Sequence, residues 1–343
     1  MLDFSITERS LIFFLFCREA LSSMHRLGRL FCFFAVSVFC NLSTREIQAD
    51  GLNDQESLEC RDVWEISTRH LMDRPRCIDP IDPALRVHRF DTGCWQEATI
   101  EDALQLDGRL PIVYVHGNFM THDNARRRVL LIDDMLRARA HRSYRLIMLS
   151  WPSQREPHPL RDTRENAASS DSHSLYVAWV LQQLRDAPQV SLLGFSLGAR
   201  SISGGLHLAA GGTIRGLHGA TGVNTEPSES LVRVGFVAPA MDRTWLTPSG
   251  KHRLATQHVE GILSLYNSDD PVLRRFRFLE SGSHAIAAGY QGFVGNSLIR
   301  QYDCSDCVGR THDERSYFRQ CPYFGLVLDH LLWNESVGAC RIQ

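Results

Sequence analysis

A serine between two glycines is the strongest candidate for chemistry in this sequence. The motif Gly194-Phe195-Ser196-Leu197-Gly198 directly follows the apolar run 190–193, and a helical pattern begins within it. A sharp turn from strand to helix exposes the central serine hydroxyl, and flanking glycines leave room for the turn. The start of the helix also brings partial positive charge to that hydroxyl. The pattern predicts that Ser196 is a nucleophile, with an inert serine in a glycine-rich turn as the alternative.

A nucleophilic serine needs a base, and the base needs a carboxylate that orients it. The apolar run 262–266 is followed by Asp269 and Asp270. We favour Asp270 as the acid because it stands immediately before Pro271, after a predicted strand. Asp269 is the second choice, and Asp242, after the preceding predicted strand, is the third. The alternative for each is an ordinary turn or helix-capping residue.

The base is expected in the loop that follows the last predicted strand. His312 lies in the loop 309–314, between a strand predicted near 298–302 and a closing helix. His284 precedes that strand, and His330 lies within the apolar pattern of the closing helix. We therefore predict that His312 is the base.

An oxyanion formed during acyl transfer needs backbone N–H donors near the nucleophile. One donor is expected from Leu197, the residue after the serine, and a second from the loop after the strand predicted at 111–115. Asn118 and Phe119 of that loop are the candidates for the second donor. His116 is expected to pack within the loop rather than to act as an acid or base.

Short apolar runs alternate with helical patterns from residue 110 onwards. Strands are predicted at 111–115, 146–149, 190–193, 232–237 and 262–266, and helices at 122–140, 172–186, 197–210 and 324–333. Before them, strands are predicted at 63–68 and 85–90, and a short helix or loop at 95–106. This alternation predicts an α/β fold with a mostly parallel, doubly wound sheet and helices on both faces. The serine turn, followed along the chain by the acid and then the histidine, predicts that this is an α/β-hydrolase fold. The short insert before 262–266 predicts a minimal lid and an open site.

Several blocks of the sequence resemble the α/β-hydrolase family known as DUF900, over about residues 110–335. The similar blocks are Tyr114–Asn118, Leu149–Gln154, Asp162–Ser170, Gly194–Arg200, Ala238–Asp242, Tyr266–Asp270, and His312 followed by Ser316-Tyr317-Phe318. Family members often place the histidine directly before Ser-Tyr, whereas Asp313-Glu314-Arg315 intervene here. The resemblance implies the fold and a serine, histidine and aspartate site, but it implies no particular substrate.

The composition is that of an ordinary globular protein. The chain has 343 residues, of which 43% are hydrophobic and 22% charged, and its formal net charge is -2. Such a balance gives no electrostatic basis for binding nucleic acid. Neither a cofactor nor a metal ion is expected to take part in the chemistry.

The first 49 residues are expected to be a leader rather than part of the fold. A basic stretch at 24–29 precedes the apolar run 30–40, which is shorter than a membrane-spanning helix requires. We predict export, with the chain periplasmic, secreted or anchored through this segment. Only the leader is expected to bring the chain near a membrane. The remaining divisions are an N-terminal extension with strands at 50–109, the hydrolase domain at 110–335 and a tail at 336–343.

The cysteines outside the leader flank the predicted domain core. They are Cys60, Cys77 and Cys94 before it, and Cys304, Cys307, Cys321 and Cys340 after it. This distribution in an exported chain predicts disulfide bonds on peripheral segments. The alternative is a zinc site in which Cys321 and His312 complete the pair Cys304-x-x-Cys307.

These features together predict a serine hydrolase that acts on a small-molecule or lipid ester through an acyl-enzyme. Two alternatives remain open from the sequence. One is a catalytically inactive protein of the same fold that binds ligands in the same cleft. The other is a thioesterase or peptidase, because the same serine, histidine and aspartate machinery cleaves all three types of bond.

Overall fold

The computed structural model of the chain describes residues 61–71, 75–153, 159–217, 230–278, 280 and 284–334. Within these residues, nine strands form one sheet with the spatial order β3-β2-β1-β5-β4-β6-β7-β8-β9. The strands are β1 Val63–Ser67, β2 Arg86–Asp91, β3 Cys94–Ala98, β4 Leu110–Val115, β5 Tyr144–Ser150, β6 Gln189–Phe195, β7 Leu231–Val237, β8 Val259–Tyr266 and β9 Ile299–Asp303. In this spatial order, neighbouring strands are parallel from β1 through β5, β4, β6, β7 and β8 to β9. Strands β2 and β3 add an antiparallel edge next to β1.

Helices connect most of the consecutive parallel strands, as the predicted α/β architecture requires. They are α1 Ile100–Ala103, α2 His122–Arg137, α3 Pro159–Gln183, α4 Leu197–Ala209, α5 Ala288–Gln291, α6 Ser305–Val308, α7 Glu314–Gln320 and α8 Tyr323–Leu331, with a 3-10 helix at Leu273–Phe278. Every residue of β4 is buried, as expected for a strand covered on both faces. The chain therefore has an α/β-hydrolase fold, as the sequence predicts.

The strand order creates a crevice at the centre of the sheet. The chain passes from β4 to β5 on one side and then returns to β6 on the other side of β4. Connections that leave neighbouring strands in opposite directions open a crevice at the carboxyl ends of those strands. The residues that follow β4 and β6 meet at this point, where Val115 pairs with Gly194.

Close contact between α3 and α4 supports β6 from one face. A Cβ atom on Gly204 would lie 2.1 Å from Ser174 Oγ, and one on Gly205 would lie 2.4 Å from Val177 Cγ1. Side chains at these two positions would force the helices apart. The two glycines thus fix the position of the helix that begins immediately after Ser196.

Two elements differ from their predictions. Residues Cys94–Ala98 form the edge strand β3, where a short helix or loop is predicted; the short helix α1 comes after it. The strand is mostly exposed and pairs only with β2, so no buried face marks it in the sequence. Helix α3 begins at Pro159, whereas the prediction begins near residue 172. The first turns of the helix are polar, so no apolar periodicity marks them in the sequence.

The insert between β7 and β8, residues 238–258, consists of turns. It is as short as the sequence predicts, and no helix or strand lies within it. Among the residues that the structure describes, no helix combines the length and apolar character of a membrane span.

Candidate active site

Ser196 sits in the sharp turn between β6 and α4. Its backbone has φ 52° and ψ -117°, a left-handed conformation that is rare for residues other than glycine. A Cβ atom on Gly198 would lie 2.0 Å from the Val115 carbonyl oxygen, and one on Gly194 would lie 2.6 Å from Ala199 Cα. Neither position accepts a side chain, so the glycine spacing is a requirement of this turn. The conformation is the strained strand-to-helix turn expected of a nucleophilic serine.

His312 lies beside this serine, although the two residues are 116 positions apart in the chain. Its Nε2 atom is 2.9 Å from Ser196 Oγ. The imidazole ring packs on the side chain of Phe195, with 5.1 Å between the ring centroids. The loop before α7 therefore brings His312 within hydrogen-bond reach of Ser196.

Asp270 completes a hydrogen-bonded chain with these two residues. Its Oδ2 atom is 2.5 Å from His312 Nδ1, and its side chain is fully buried. The other carboxylate oxygen accepts the backbone N–H groups of Val272 at 2.8 Å and Leu273 at 2.9 Å. Both oxygens of the buried carboxylate are thus hydrogen-bonded, which compensates for its removal from water.

The arrangement fixes which nitrogen of the imidazole carries the hydrogen. An ionised carboxylate only accepts hydrogen bonds, so Nδ1 of His312 donates to Asp270. In the neutral ring Nε2 is then an acceptor, and it faces the hydroxyl of Ser196. This is the tautomer that a general base requires in order to take the serine proton.

Asn267 joins the loop that carries the acid to the loop that carries the histidine. Its Nδ2 donates to the carbonyl of Gly309 at 2.8 Å and to that of Thr311 at 3.4 Å. Its Oδ1 accepts the backbone N–H of Asp269 at 2.9 Å. No local pattern in the sequence marks this role of Asn267, because Gly309 and Thr311 lie more than 40 positions further along the chain.

The other candidate carboxylates have different partners. Asp269 is exposed, three residues beyond the end of β8. Asp242 accepts hydrogen bonds from the backbone of Thr244 at 2.9 Å and of Ile286 at 2.9 Å, so it holds a turn and a neighbouring loop. Of the three aspartates, the structure brings only Asp270 to His312.

The other candidate histidines do not join this group. His284 is exposed. His330 is near the amino end of β8, where its Nε2 lies 3.1 Å from the carbonyl oxygen of Gly261. Burial lowers the pKa of His330 to about 4, so its ring is neutral at physiological pH. Because the crevice lies at the carboxyl ends of the strands, His330 is at the wrong end of the sheet for the predicted chemistry.

His116 anchors the loop that follows β4. Its Nδ1 lies 2.9 Å from the Gly117 carbonyl oxygen, and its Nε2 lies 2.9 Å from Arg69 Nη2 and 3.2 Å from the backbone nitrogen of Trp151. Burial, with the nearby Arg69 cation, holds the pKa of His116 well below its usual range. The neutral, fully bonded ring is a packing residue of the loop, as the sequence predicts.

The three predicted oxyanion donors come from the two chain segments that meet at the crevice. Asn118 and Phe119 follow β4, and Leu197 is the first residue of α4. Phe119 has φ 55°, so the loop turns sharply at this residue. The side chain of Asn118 accepts a hydrogen bond from Asn166 Nδ2 at 2.8 Å, which ties the loop to α3. A role for the three backbone amides in binding an oxyanion stays a prediction.

Arg69, just after β1, is a further anchor of this loop, and no sequence motif indicates it. Its guanidinium donates to the Met120 carbonyl at 3.0 Å and to Ser150 Oγ at 2.6 Å, in addition to its contact with His116. Burial lowers the pKa of Arg69 to about 10. The segment that follows β1 therefore helps to hold the predicted oxyanion loop in place.

Glu314 lies two residues after His312 and fixes the start of α7. Its carboxylate is only 2% exposed, accepts the hydroxyl of Tyr114 at 2.7 Å and lies 3.3 Å from Arg128 Nε. Burial raises the pKa of Glu314 to about 7. This buried contact connects the histidine loop to β4 and α2.

Three cysteines form the described group that most resembles a metal site. The Sγ atoms of Cys304, Cys307 and Cys321 all lie within 4.8 Å of one another. His312 is engaged with Ser196 and cannot also complete this set, so that version of the zinc alternative is wrong. None of the cysteines that the structure describes forms a disulfide bond. Cys60 and Cys340 lie outside the described residues.

No protein-family model matches the chain, and no curated protein is similar to it in sequence. Several solved structures are similar in shape. One is the putative cell surface hydrolase of Lactobacillus plantarum WCFS1, with 10% identity, a TM-score of 0.37, and coverage of 66% of this chain and 93% of that one.

Two further similar structures are esterases. Esterase B of Lactobacillus rhamnosis, bound to a C6-C4 inhibitor, has 12% identity and a TM-score of 0.36, with 86% of this chain and 94% of that one covered. The thermophilic esterase Est2 of Thermogutta terrifontis has 12% identity and a TM-score of 0.35, with 74% and 87% covered. The strand order and the turn at Ser196, rather than these distant similarities, define the fold class.

Proposed function

We propose that this protein is a serine hydrolase that cleaves carboxylic esters through an acyl-enzyme, and that it belongs with the DUF900 group of such hydrolases. The observation that carries the proposal is the hydrogen-bonded chain from Ser196 Oγ through His312 to the buried carboxylate of Asp270, with distances of 2.9 Å and 2.5 Å. These three hydrogen-bonded side chains supply the nucleophile, the base and the orienting carboxylate that covalent catalysis by a hydroxyl requires.

In the proposed first step, Ser196 Oγ attacks the carbonyl carbon of the ester while His312 Nε2 takes the hydroxyl proton. Asp270 holds the ring in the required tautomer and stabilises the imidazolium that forms. His312 then gives the proton to the leaving alcohol, and the acyl group remains on Ser196. In the second step His312 takes a proton from water, which attacks the acyl carbon and releases the acid.

The negative charge on the carbonyl oxygen needs stabilisation in both steps. We assign this role to the backbone N–H of Leu197, together with that of Asn118 or Phe119. Leu197 begins a 13-residue helix, whose N-terminus adds partial positive charge near the developing oxyanion. The anchoring of the loop after β4 by Arg69 and Asn166 supports this assignment, because a pre-organised donor need not move during the reaction.

The proposed substrate is a small or flexible ester, either a soluble molecule or a lipid. The insert at 238–258 is short, and large acyl-binding domains of related folds are often built from that connection. The exported location predicted from the leader would give the enzyme substrates outside the cytoplasm. A thioester or an amide would react through the same steps, so the substrate class is decided by assay.

Labelling with a fluorophosphonate tests the proposal. The expected result is one adduct per chain by intact mass, found on the peptide that contains Ser196 and absent from Ser196→Ala. The matched control is Ser201→Ala in the same helix, whose hydroxyl bonds to the Ser170 carbonyl at 2.9 Å and which should label normally. A folded protein that forms no adduct would favour the ligand-binding alternative. A series of p-nitrophenyl esters, a thioester and an anilide would then identify the preferred bond and acyl length.

A further inference from the structure

Two buried thiols close the base of the segment that carries His312. The Sγ atoms of Cys304 and Cys321 are 3.1 Å apart, and the two residues are 0% and 5% exposed. Cys304 follows β9, and Cys321 ends α7. The two ends of the segment between them, which includes the loop with His312, therefore lie next to each other.

Cys304 is also tied to the strand that leads to the acid. Its backbone N–H donates to the carbonyl of Tyr266, the last residue of β8, at 2.7 Å. From there the chain continues through Asn267 to Asp270. A covalent bond from Cys304 to Cys321 would fix both ends of the histidine segment next to the aspartate loop.

The distances favour a disulfide over a metal ion at this position. Thiolates bound to zinc lie about 2.3 Å from the metal, which places tetrahedral sulfurs about 3.8 Å apart. The Sγ atoms of Cys304 and Cys321 are already closer than that. Among the described residues, Cys307 is the only further metal ligand close to the pair, so a tetrahedral set is incomplete there.

The chemistry of the three thiols supports formation of a bond. Hydrogen bonding with Cys304 and Cys307 lowers the pKa of Cys321 to about 6, so its sulfur is a thiolate at neutral pH. Interaction with that thiolate and burial raise the pKa of Cys304. A thiolate can attack the disulfide of an oxidant and release one thiol, and the sulfur of the neighbouring cysteine can then displace the second thiol from the mixed disulfide. Cys307 is half-buried, whereas the other two cysteines are buried, and its Sγ lies within 4.8 Å of both of theirs.

We propose that Cys304 and Cys321 form a disulfide that clamps the His312 segment, with Cys307 as a neighbouring thiol able to exchange into it. The functional meaning of the clamp rests on the proposed role of His312, but the bond itself does not. Oxidation joins the two Sγ atoms and removes both thiol hydrogens. A small disulfide such as oxidised glutathione accepts the two electrons and two protons and is converted to two thiols.

Mass spectrometry of the full chain tests the bond. Incubation with oxidised glutathione should remove two hydrogens, and non-reducing digestion should give a linked pair of peptides containing Cys304 and Cys321. Cys307→Ser is the matched control and should form the same link, whereas the double variant Cys304→Ser/Cys321→Ser should not. Full alkylation of both thiols after oxidation would overturn the proposal. So would a stoichiometric zinc ion that must be chelated before any of the three cysteines reacts.

Hydrogen exchange tests the clamp without relying on activity. Amides of residues 305–320 should exchange several-fold more slowly in the oxidised form than in the reduced form, in both wild type and Cys307→Ser. Equal exchange in the two forms would contradict the clamp even if the bond forms.

Should the double variant fail to fold, the comparison of oxidised and reduced wild type still decides both points. If neither form labels at Ser196, the proposed hydrolase activity fails, while the mass and exchange results still decide the disulfide.

Discussion

The side-chain amide of Asn267 donates to the carbonyl of Gly309 at 2.8 Å, and this bond links the aspartate loop to the histidine loop. Asn267 is fully buried at the end of β8, three residues before Asp270. Gly309 begins the loop that delivers His312. The separation of the two catalytic candidates is thus set by a side chain that need not touch a substrate.

Asn267→Ala should therefore impair catalysis without weakening substrate binding. We expect kcat to fall by about a hundredfold with little change in KM, because misplacement of a catalytic group by about 1 Å has effects of that size. Steady-state kinetics with p-nitrophenyl acetate measures both parameters. Ser268→Ala, in the same loop but exposed, is the control and should retain kcat. Equal kcat values for Asn267→Ala and wild type would show that the loop is positioned by other contacts.

Asp270→Asn should reduce kcat far more than the same change at the other two aspartates. The asparagine would present an amide or a neutral oxygen to His312 Nδ1, and losses of about 10⁴-fold accompany such a change in related sites. Asp269→Asn should be close to wild type because its side chain is exposed. Asp242→Asn should mainly lower stability. The ranking is refuted by an Asp270→Asn enzyme that is as active as Asp269→Asn.

Arg69→Met should weaken the stabilisation of the oxyanion by loosening the loop after β4. The variant loses the donor to the Met120 carbonyl and the contact with His116 Nε2, so we expect kcat/KM to fall by about 10- to 100-fold. Binding of a boronic acid, which mimics the tetrahedral intermediate, should weaken in parallel, whereas a substrate-like ketone should bind almost normally. Arg76→Met, at an exposed position, serves as the comparison. Parallel losses for both ligands would point to general unfolding of the cleft.

Glu314 should make stability fall as the pH rises from about 4.5 to about 7. The pKa of this carboxyl is raised from 4.5 to about 7 by burial, so the folded state holds the proton more tightly than the unfolded state. The resulting stabilisation is fully present below pH 4.5 and is lost as the pH rises through 7, by about 3 kcal/mol in total. Urea unfolding at pH 5, 7 and 9 measures it.

The substitution Glu314→Gln should remove this part of the pH dependence, because the amide does not titrate. Glu101→Gln, at an exposed position, should leave the slope unchanged. If the unfolding free energy has the same pH dependence in wild type and Glu314→Gln, the Glu314 carboxyl ionises in the folded state without loss of stability. Arg128 would then be the cation that compensates its charge.

The strands and helices of the central sheet are predictable from sequence because each buried strand is a short apolar run. The turn at Ser196 is predictable for a local reason, since both glycines that it requires lie within two residues of it. The edge strand β3 is not, because a strand that is mostly exposed and paired on one side has no apolar pattern to mark it.

The partners of the site residues are largely hidden from the sequence. Arg69 meets His116 across 47 positions and Met120 across 51, and no local pattern indicates such contacts. Glu314 reads as an ordinary first-turn residue of a helix, yet it is buried against Tyr114, 200 positions earlier. Only the folded sheet order brings these pairs together.

Trapping the acyl group on the enzyme tests the central claim most directly. Wild type mixed with p-nitrophenyl acetate and quenched in acid within milliseconds should carry one acetyl group on the peptide containing Ser196. Ser196→Ala should carry none, and His312→Ala should acquire it far more slowly. An enzyme that hydrolyses the ester while no acetyl group, or one on another residue, is found at any time would contradict the account.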